Sequence, residues 1–459
     1  MNLWMYLKEH MLSRPSQKVG EEGAFMTYEE LVVYAEILAQ RLSGEALCAI
    51  CCRSEMANAM ALLGCFAAGT AAVPLSARYG SAHVKKIMQA CRPSCMISDI
   101  DGALRIYRVD GCNAPAYESM PALIMWTSGT TGVPKGAMLG ENAIVSNVED
   151  ICRYFKIDES DTILISRPLY HCAVLTGEFL TALVKGAKII FCSEKFNPAL
   201  LARLIRENEV TVFGGTPTLL SLLLRFTRES SRLPLKHVVV SGECMSRDVG
   251  IRLREGLPDS KIYHVYGLTE AGPRVSYMPP EDFDKAPDRV GVPLASVKLE
   301  IRDASGKALS KNQRGMLWVK GPSLMSGYYN APELSREKLR SGWLCTGDIA
   351  EIDSSGWLKI VGRSDDLIIR AGLNIYPQEL EAALKEDSRT KDALIYPYKD
   401  KNGTTQIGLK ITGSFNSRDE VRKMCIERLP AAHIPAKIEI VSSLDKNASG
   451  KIIRRNENA

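Results

Sequence analysis

Residues 124–136 read Ile124-Met125-Trp126-Thr127-Ser128-Gly129-Thr130-Thr131-Gly132-Val133-Pro134-Lys135-Gly136. The apolar lead, 122–126, has the pattern of a buried strand running into a loop. The loop carries the hydroxyls of Thr127, Ser128, Thr130 and Thr131, the glycines Gly129, Gly132 and Gly136, and the cation of Lys135. Glycines let a backbone curl until its N–H groups converge. Converging N–H groups and hydroxyls form a concave anion site, and a lysine adds a point charge suited to phosphate. The segment therefore reads as a polyphosphate-binding turn. It is not a Walker A loop, because the chain continues Pro134-Lys135 beyond Gly129 rather than Gly-Lys-Ser/Thr. A flexible Ser/Gly linker fits less well, since strand and helix signals bound the segment and it carries one fixed cation.

A length of 459 residues predicts a large core and more than one domain. Hydrophobic content of 46% with 24% charged residues is that of a soluble globular chain. The net charge of +5 is mild and no basic block occurs, which argues against nucleic acid as a partner. Arg454-Arg455 reads as a solvated pair. Residues 1–9 lack a basic region followed by an apolar run, so no secretory signal is expected there. Residues 56–77 are uncharged but hold Asn58, Gly64, Gly69 and Pro74. They predict a buried helix followed by a strand at 71–75, not a membrane span. The 13 cysteines mostly sit in apolar runs, as Cys48, Cys51 and Cys52 do, where cysteine behaves as a small hydrophobe. Cys48-x-x-Cys51 has no second Cys/His pair at zinc spacing. Reduced thiols and a cytoplasmic address follow.

Helical and strand-like segments alternate through the N-terminal part, which predicts layered α/β structure with parallel strands. Thr27-x-x-Glu30 is a capping box ahead of an apolar stripe of Leu31, Tyr34, Ala35, Leu38 and Leu42. Strands are expected at 162–166, 188–192, 210–213 and 237–240, the last ending at Ser241-Gly242-Glu243. Ligands bind at the carboxyl ends of strands in open α/β sheets. From about residue 290 short strands with Gly/Asp turns predict a small β subdomain, and Gly362-Arg363-Ser364-Asp365-Asp366 marks a polar boundary. The expected class is α/β. A large N-terminal domain of layered α/β subdomains plus a small β subdomain, 1–363, precedes a small α+β C-terminal domain, 364–459.

Further strings carry chemistry. In Tyr266-Gly267-Leu268-Thr269-Glu270 the ring of Tyr266 offers a flat face to a purine. Thr269 offers a hydroxyl to phosphate, and Glu270 offers a hard oxygen to Mg2+. Thr346-Gly347-Asp348 presents a carboxylate able to accept two ribose hydroxyls. Arg363 reads either as a ligand contact or as a salt-bridge partner.

Together these strings resemble the adenylate-forming superfamily, which holds acyl- and aryl-CoA synthetases, peptide-synthetase adenylation domains and firefly luciferase. The likeness runs in order from residue 124 to residue 451. It implies ATP and Mg2+ as cofactors, bound by Thr127, Ser128, Gly129, Thr130, Thr131, Lys135, Gly242, Glu243, Tyr266, Asp348 and Arg363, with Glu270 on the metal. It implies catalytic roles for Thr269, Glu270, His171 and Lys451, which stands in Ser449-Gly450-Lys451. Asp365 resembles the hinge about which the C-terminal domain rotates. The loop from Arg370 to Glu379 is closer to acyl- and aryl-CoA ligases than to peptide-synthetase domains. Departures are His264 in place of the usual Asn, Cys345 before Thr346, and Asn447 near the tail.

The resemblance implies a ligase that converts a small carboxylic acid to acyl-AMP and then to a thioester. The acceptor thiol is coenzyme A or the phosphopantetheine of a free-standing carrier protein, because only eight residues follow Lys451. His171 matches an acyl-pocket gate. Cys172 and Ala173 follow it and no acid appears before Glu178, so the ammonium of an α-amino acid would lack a partner. The reading leans to an aromatic acid such as a hydroxybenzoate, with a medium-chain aliphatic acid as the alternative. A catalytically silent nucleotide-binding regulator is the alternative of a different class.

Overall fold

The structure, a computed structural model, describes residues 2–77, 81–109, 120–127, 134–192, 197–226, 233–370, 373–401, 404–446 and 452–454. Two large sheets and one small one build the N-terminal part. The first sheet has nine strands. Its centre is six parallel strands in the order Lys261–Gly267, His237–Val240, Val212–Gly215, Thr162–Ile165, Lys188–Phe191 and Lys18–Glu21. Antiparallel strands close both edges. Buried runs such as Val238-Val239-Val240 are what a sheet covered on both faces requires. The four strand positions expected from the sequence are all occupied, each within two residues.

The second sheet has seven strands. Four run parallel, Cys95–Ile100, Leu47–Ile50, Ala71–Pro74 and Leu123–Thr127. The uncharged stretch is indeed the buried helix Glu55–Ala68 followed by the strand Ala71–Pro74, and no helix among the described residues is long and apolar enough to cross a membrane. Helix Tyr28–Arg41 begins with the expected capping box, in which Glu30 N–H donates to Thr27 Oγ1 and Thr27 N–H to the Glu30 carboxylate. One large apolar cluster, including Leu31, Leu62, Val148 and Phe179, fills the space between the sheets. No disulfide or cluster of potential metal ligands occurs among the described residues, and most cysteines are buried.

From Lys298 to Arg363 the chain forms a five-stranded antiparallel sheet, the small β subdomain. The C-terminal part has its own apolar cluster, including Ile368, Leu384, Leu409 and Val421. It combines helices Pro377–Lys385 and Arg418–Arg428 with a two-stranded and a three-stranded sheet.

Two features differ from the sequence reading. The phosphate loop is followed by a strand, Lys135–Leu139, and a helix begins only at Glu141. That strand folds back on Leu123–Thr127, with Thr127 opposite Lys135. Arg454 is not solvated. It is paired with Glu381 and lies 3.4 Å from Asp366, because the buried Glu381 carboxylate needs a cation.

His264 lies inside the strand Lys261–Gly267, and its Nδ1 donates to the Pro287 carbonyl at 3.0 Å. Burial, opposed by backbone hydrogen bonds, pulls its pKa down from 6.5 to about 4. Between those values the unfolded chain binds a proton that the folded chain does not. This histidine therefore removes stability as pH falls through that window. Between pH 7.5 and pH 5 the loss should be about 2 kcal/mol. Denaturant titrations at the two pH values should show that His264→Asn lacks this component. An unchanged pH slope in the variant would rule it out.

Candidate adenylate site

The site is assembled where the three sheets of the N-terminal part meet. Tyr266 and Gly267 end the longest of the parallel strands. A bulge there brings the next strand so close that a Cβ on Gly267 would sit 1.7 Å from the Pro273 carbonyl oxygen. Only glycine lets the chain turn at this point. Thr269 and Glu270 follow in a 3₁₀ turn, Thr269–Ala271.

Tyr266 reaches across to the five-stranded sheet. Its hydroxyl donates to Asp348 Oδ2 at 2.5 Å. Arg363 Nη1 donates to Asp348 Oδ1 at 3.1 Å and to the Thr346 carbonyl at 3.1 Å. Asp348 and Arg363 are directly opposed on neighbouring strands, which fixes this pairing. Asp348 N–H donates to Thr346 Oγ1 at 3.0 Å, so the threonine of Thr-Gly-Asp orients the aspartate. Burial, reinforced by the Asp348 carboxylate, holds the Tyr266 phenol far above its ordinary pKa, so it stays a donor. Arg363 is therefore both a salt-bridge partner and a cation at the site.

Glu270 is tied to the other large sheet. Tyr328 OH donates to its Oε1 at 2.8 Å, and Met325 N–H donates to its carbonyl at 2.9 Å. Tyr328 pairs with Ala137 on the strand that leaves the phosphate loop, and Tyr329 N–H donates to the Gly136 carbonyl at 2.7 Å. Glu270 is thereby held beside the two strands that frame the loop. Thr127 ends one strand and Lys135 begins the other. Ser128, Gly129, Thr130 and Thr131 lie outside the described residues, as does Lys451. A partly buried carboxylate beside a phosphate loop, with one oxygen held by a phenol, suits Mg2+, which takes one or two protein carboxylates and keeps several waters.

Gly242 and Glu243 follow the strand His237–Val240, and the Glu243 carboxylate accepts from Thr218 Oγ1 at 2.7 Å. His171 precedes the short helix Cys172–Val174, its ring 4.2 Å from that of Tyr170. Burial pushes the neighbouring Cys172 thiol up to about 12, against the opposing effect of a hydrogen bond with Thr176. A thiol so buried and so weakly acidic is no nucleophile.

Asp365 lies in the turn Ser364–Asp366, with its side chain 55% exposed and 4.0 Å from Arg363. Described residues on either side of 447–451 make contacts of their own. Lys446 pairs with Ile452 as a β-bridge, and Arg454 Nη1 donates to the Ile395 carbonyl at 3.2 Å. Tyr328 escaped the sequence reading, which also took Arg454 for a solvated cation. Tyr328 sits in an ordinary apolar string, and its role exists only through strand pairing.

The family description AMP-binding enzyme matches residues 8–329. Among relatives, the long-chain-fatty-acid–CoA ligase of Haemophilus influenzae is 32% identical over 73% of this chain, which spans 61% of that ligase's length. The feruloyl-CoA synthase of an Amycolatopsis species is 28% identical over 86% of this chain and 84% of its own. Among solved structures, the O-succinylbenzoate coenzyme A synthetase of Bacillus subtilis bound to its acyl-adenylate intermediate is 25% identical, with a TM-score of 0.87 over 99% of this chain and 98% of that one. The same enzyme bound to ATP and a magnesium ion gives a TM-score of 0.83 at 25% identity over 98% of both chains. The sequence motifs, the sheets that bring them together and these likenesses agree: the chain belongs to the AMP-binding enzyme family, within the adenylate-forming superfamily.

Proposed function

We propose that this enzyme is an AMP-forming acid–thiol ligase. In the first step the acid's carboxylate attacks the α-phosphate of MgATP, releasing pyrophosphate and leaving acyl-AMP. In the second a thiol attacks the adenylate carbonyl and AMP departs. The observation that carries this reading is the convergence of Tyr266, Asp348 and Arg363 with Glu270 at the strands framing the phosphate loop. Asp348, whose carboxylate lies between a phenol and a guanidinium, is assigned to the ribose. Lys135 and the loop hydroxyls are assigned to the phosphates, and Gly242 and Glu243 to the adenine side. Catalysis of this kind is mainly positioning and charge stabilisation.

The acceptor proposed is coenzyme A, in line with the named activities of the relatives; a carrier-protein phosphopantetheine is the alternative. The acid proposed is aromatic, such as a hydroxybenzoate. His171 at the acyl gate and the feruloyl and succinylbenzoate activities of the relatives support this over a medium-chain aliphatic acid. Residues 364–459 are proposed to swing about Asp365 between the two steps, in the cytoplasm. A silent regulator would not need Glu270, Asp348, Arg363 and Lys451 together. Acid-dependent exchange of labelled pyrophosphate into ATP tests the first step. Silence over a broad panel of acids would favour the regulator, and an α-amino acid ranked first would overturn the pocket reading.

Three substitutions test the roles. Asp348→Ala removes the partner of both Tyr266 and Arg363 and should lower kcat/KM for ATP about 100-fold, read in initial-rate kinetics. Wild-type ATP kinetics in that variant would refute the assignment. Lys451→Ala should slow adenylation by about 10²–10³ while sparing thioester formation from supplied acyl-AMP, since charge builds at the α-phosphate only in the first step. Equal losses in both half-reactions would sink it. Asp365→Pro should do the converse, and normal transfer in that variant would exclude the hinge.

A further inference from the structure

One buried ion pair, Arg167–Glu178, lies outside the residues assigned to ATP. Arg167 follows the parallel strand Thr162–Ile165, and Glu178 lies in the π-helical turn Leu175–Leu180. Such turns are rare and concentrate at functional sites. An Nη2–H of Arg167 donates to Glu178 Oε1, and Nη1 donates to Ser241 Oγ at 3.2 Å. The side chains are 15% and 1% exposed. Ser241 opens the Ser241-Gly242-Glu243 segment at the end of the next strand but one. Between them Gly214 makes room for the pair, since a Cβ there would lie 2.4 Å from Glu178 Oε1. The pair thus sits across the carboxyl ends of three adjacent parallel strands, where open α/β sheets bind ligands.

The pair is only half satisfied. Among the described residues Arg167 Nε, Glu178 Oε2 and Ser166 Oγ have no hydrogen-bond partner. Burying two charges is costly even when every donor and acceptor is met. Leaving one donor and one acceptor open costs more than an apolar pair of similar size. Stability alone therefore gives no reason for it.

We infer that the Arg167–Glu178 pair is a specificity-determining element of the acyl site, selecting an acid that carries an uncharged hydroxyl away from its carboxylate. The inference rests on the ligase reading above. A hydroxyl supplies both missing partners: its proton goes to Glu178 Oε2 and its lone pair accepts from Arg167 Nε. A second carboxylate on the substrate would meet Glu178 as a like charge. An ammonium would meet Arg167. An unsubstituted ring or alkyl chain would leave both groups unpaired.

The test is calorimetric binding to the full chain of sulfamoyl analogues of benzoyl adenylate and of its three monohydroxy isomers. At least one hydroxy isomer should bind about 10- to 100-fold more tightly than the benzoyl analogue, the range for a hydrogen bond to a charged group. In the double variant R167M/E178L, which removes both charges and keeps the volume, that ratio should fall to within about threefold. Should that variant not fold, Glu178→Gln, which keeps a bond with Arg167 but not the anionic acceptor, should cut the ratio at least about fivefold, by the same reasoning of one charged hydrogen bond. No preference in the wild type, or a preference undiminished in the variant, overturns the inference. Failure of pyrophosphate exchange would instead strike the ligase reading, because the binding ratio is measured without turnover.

Discussion

The carboxylate of Asp348 ties together parts of the chain that are far apart in sequence. It accepts from Tyr266, which ends a strand of the nine-stranded sheet, and from Arg363, which ends a strand of the five-stranded one. A mostly buried carboxylate requires such donors. Here the donors are the groups that the family motifs single out. The interaction ties the two sheets together and sets the candidate adenylate site at their junction. Because Arg363 immediately precedes the turn Ser364–Asp366, it also fixes where the C-terminal part departs.

A second constraint joins the other large sheet. Glu270 is held by Tyr328, and Tyr328 by the strand that returns from the phosphate loop. The strand Lys135–Leu139 is thereby coupled, through Tyr328, to the carboxylate proposed for Mg2+. Both constraints use phenols as donors. Burial keeps the phenols of Tyr266 and Tyr328 protonated well above their usual range, so the contacts are insensitive to pH near neutrality.

The C-terminal part is held in a different way. Arg314, at the edge of the small sheet, makes two bonds of 3.0 Å to Glu379 on helix Pro377–Lys385. Both side chains are substantially exposed, and such pairs contribute at most about 1 kcal/mol. Within the C-terminal part, by contrast, Arg454 and Glu381 form a largely buried pair. Strong fastening inside the unit and weak fastening across to the small sheet suit a body that moves whole, as the proposed two-step cycle needs.

Residue order alone determined the local features. Spacing and end signals were enough for the capping box at Thr27, the buried helix over 55–68, the parallel strands and the motif strings, because each depends on neighbours within a few residues. What the sequence could not determine were contacts between distant segments. Nothing near Tyr328 marks it as the partner of Glu270, and nothing near Arg454 marks it as the partner of Glu381 rather than a solvated cation. The strand after the phosphate loop was hidden behind the helix signal of 141–154, since a five-residue strand in a glycine-bounded segment has little periodicity to show. Arg167 and Glu178 stand eleven positions apart, and nothing in that spacing pairs them. Only the folding of three parallel strands side by side buries them against each other, because long-range strand order is set by packing of whole elements and not by local propensity.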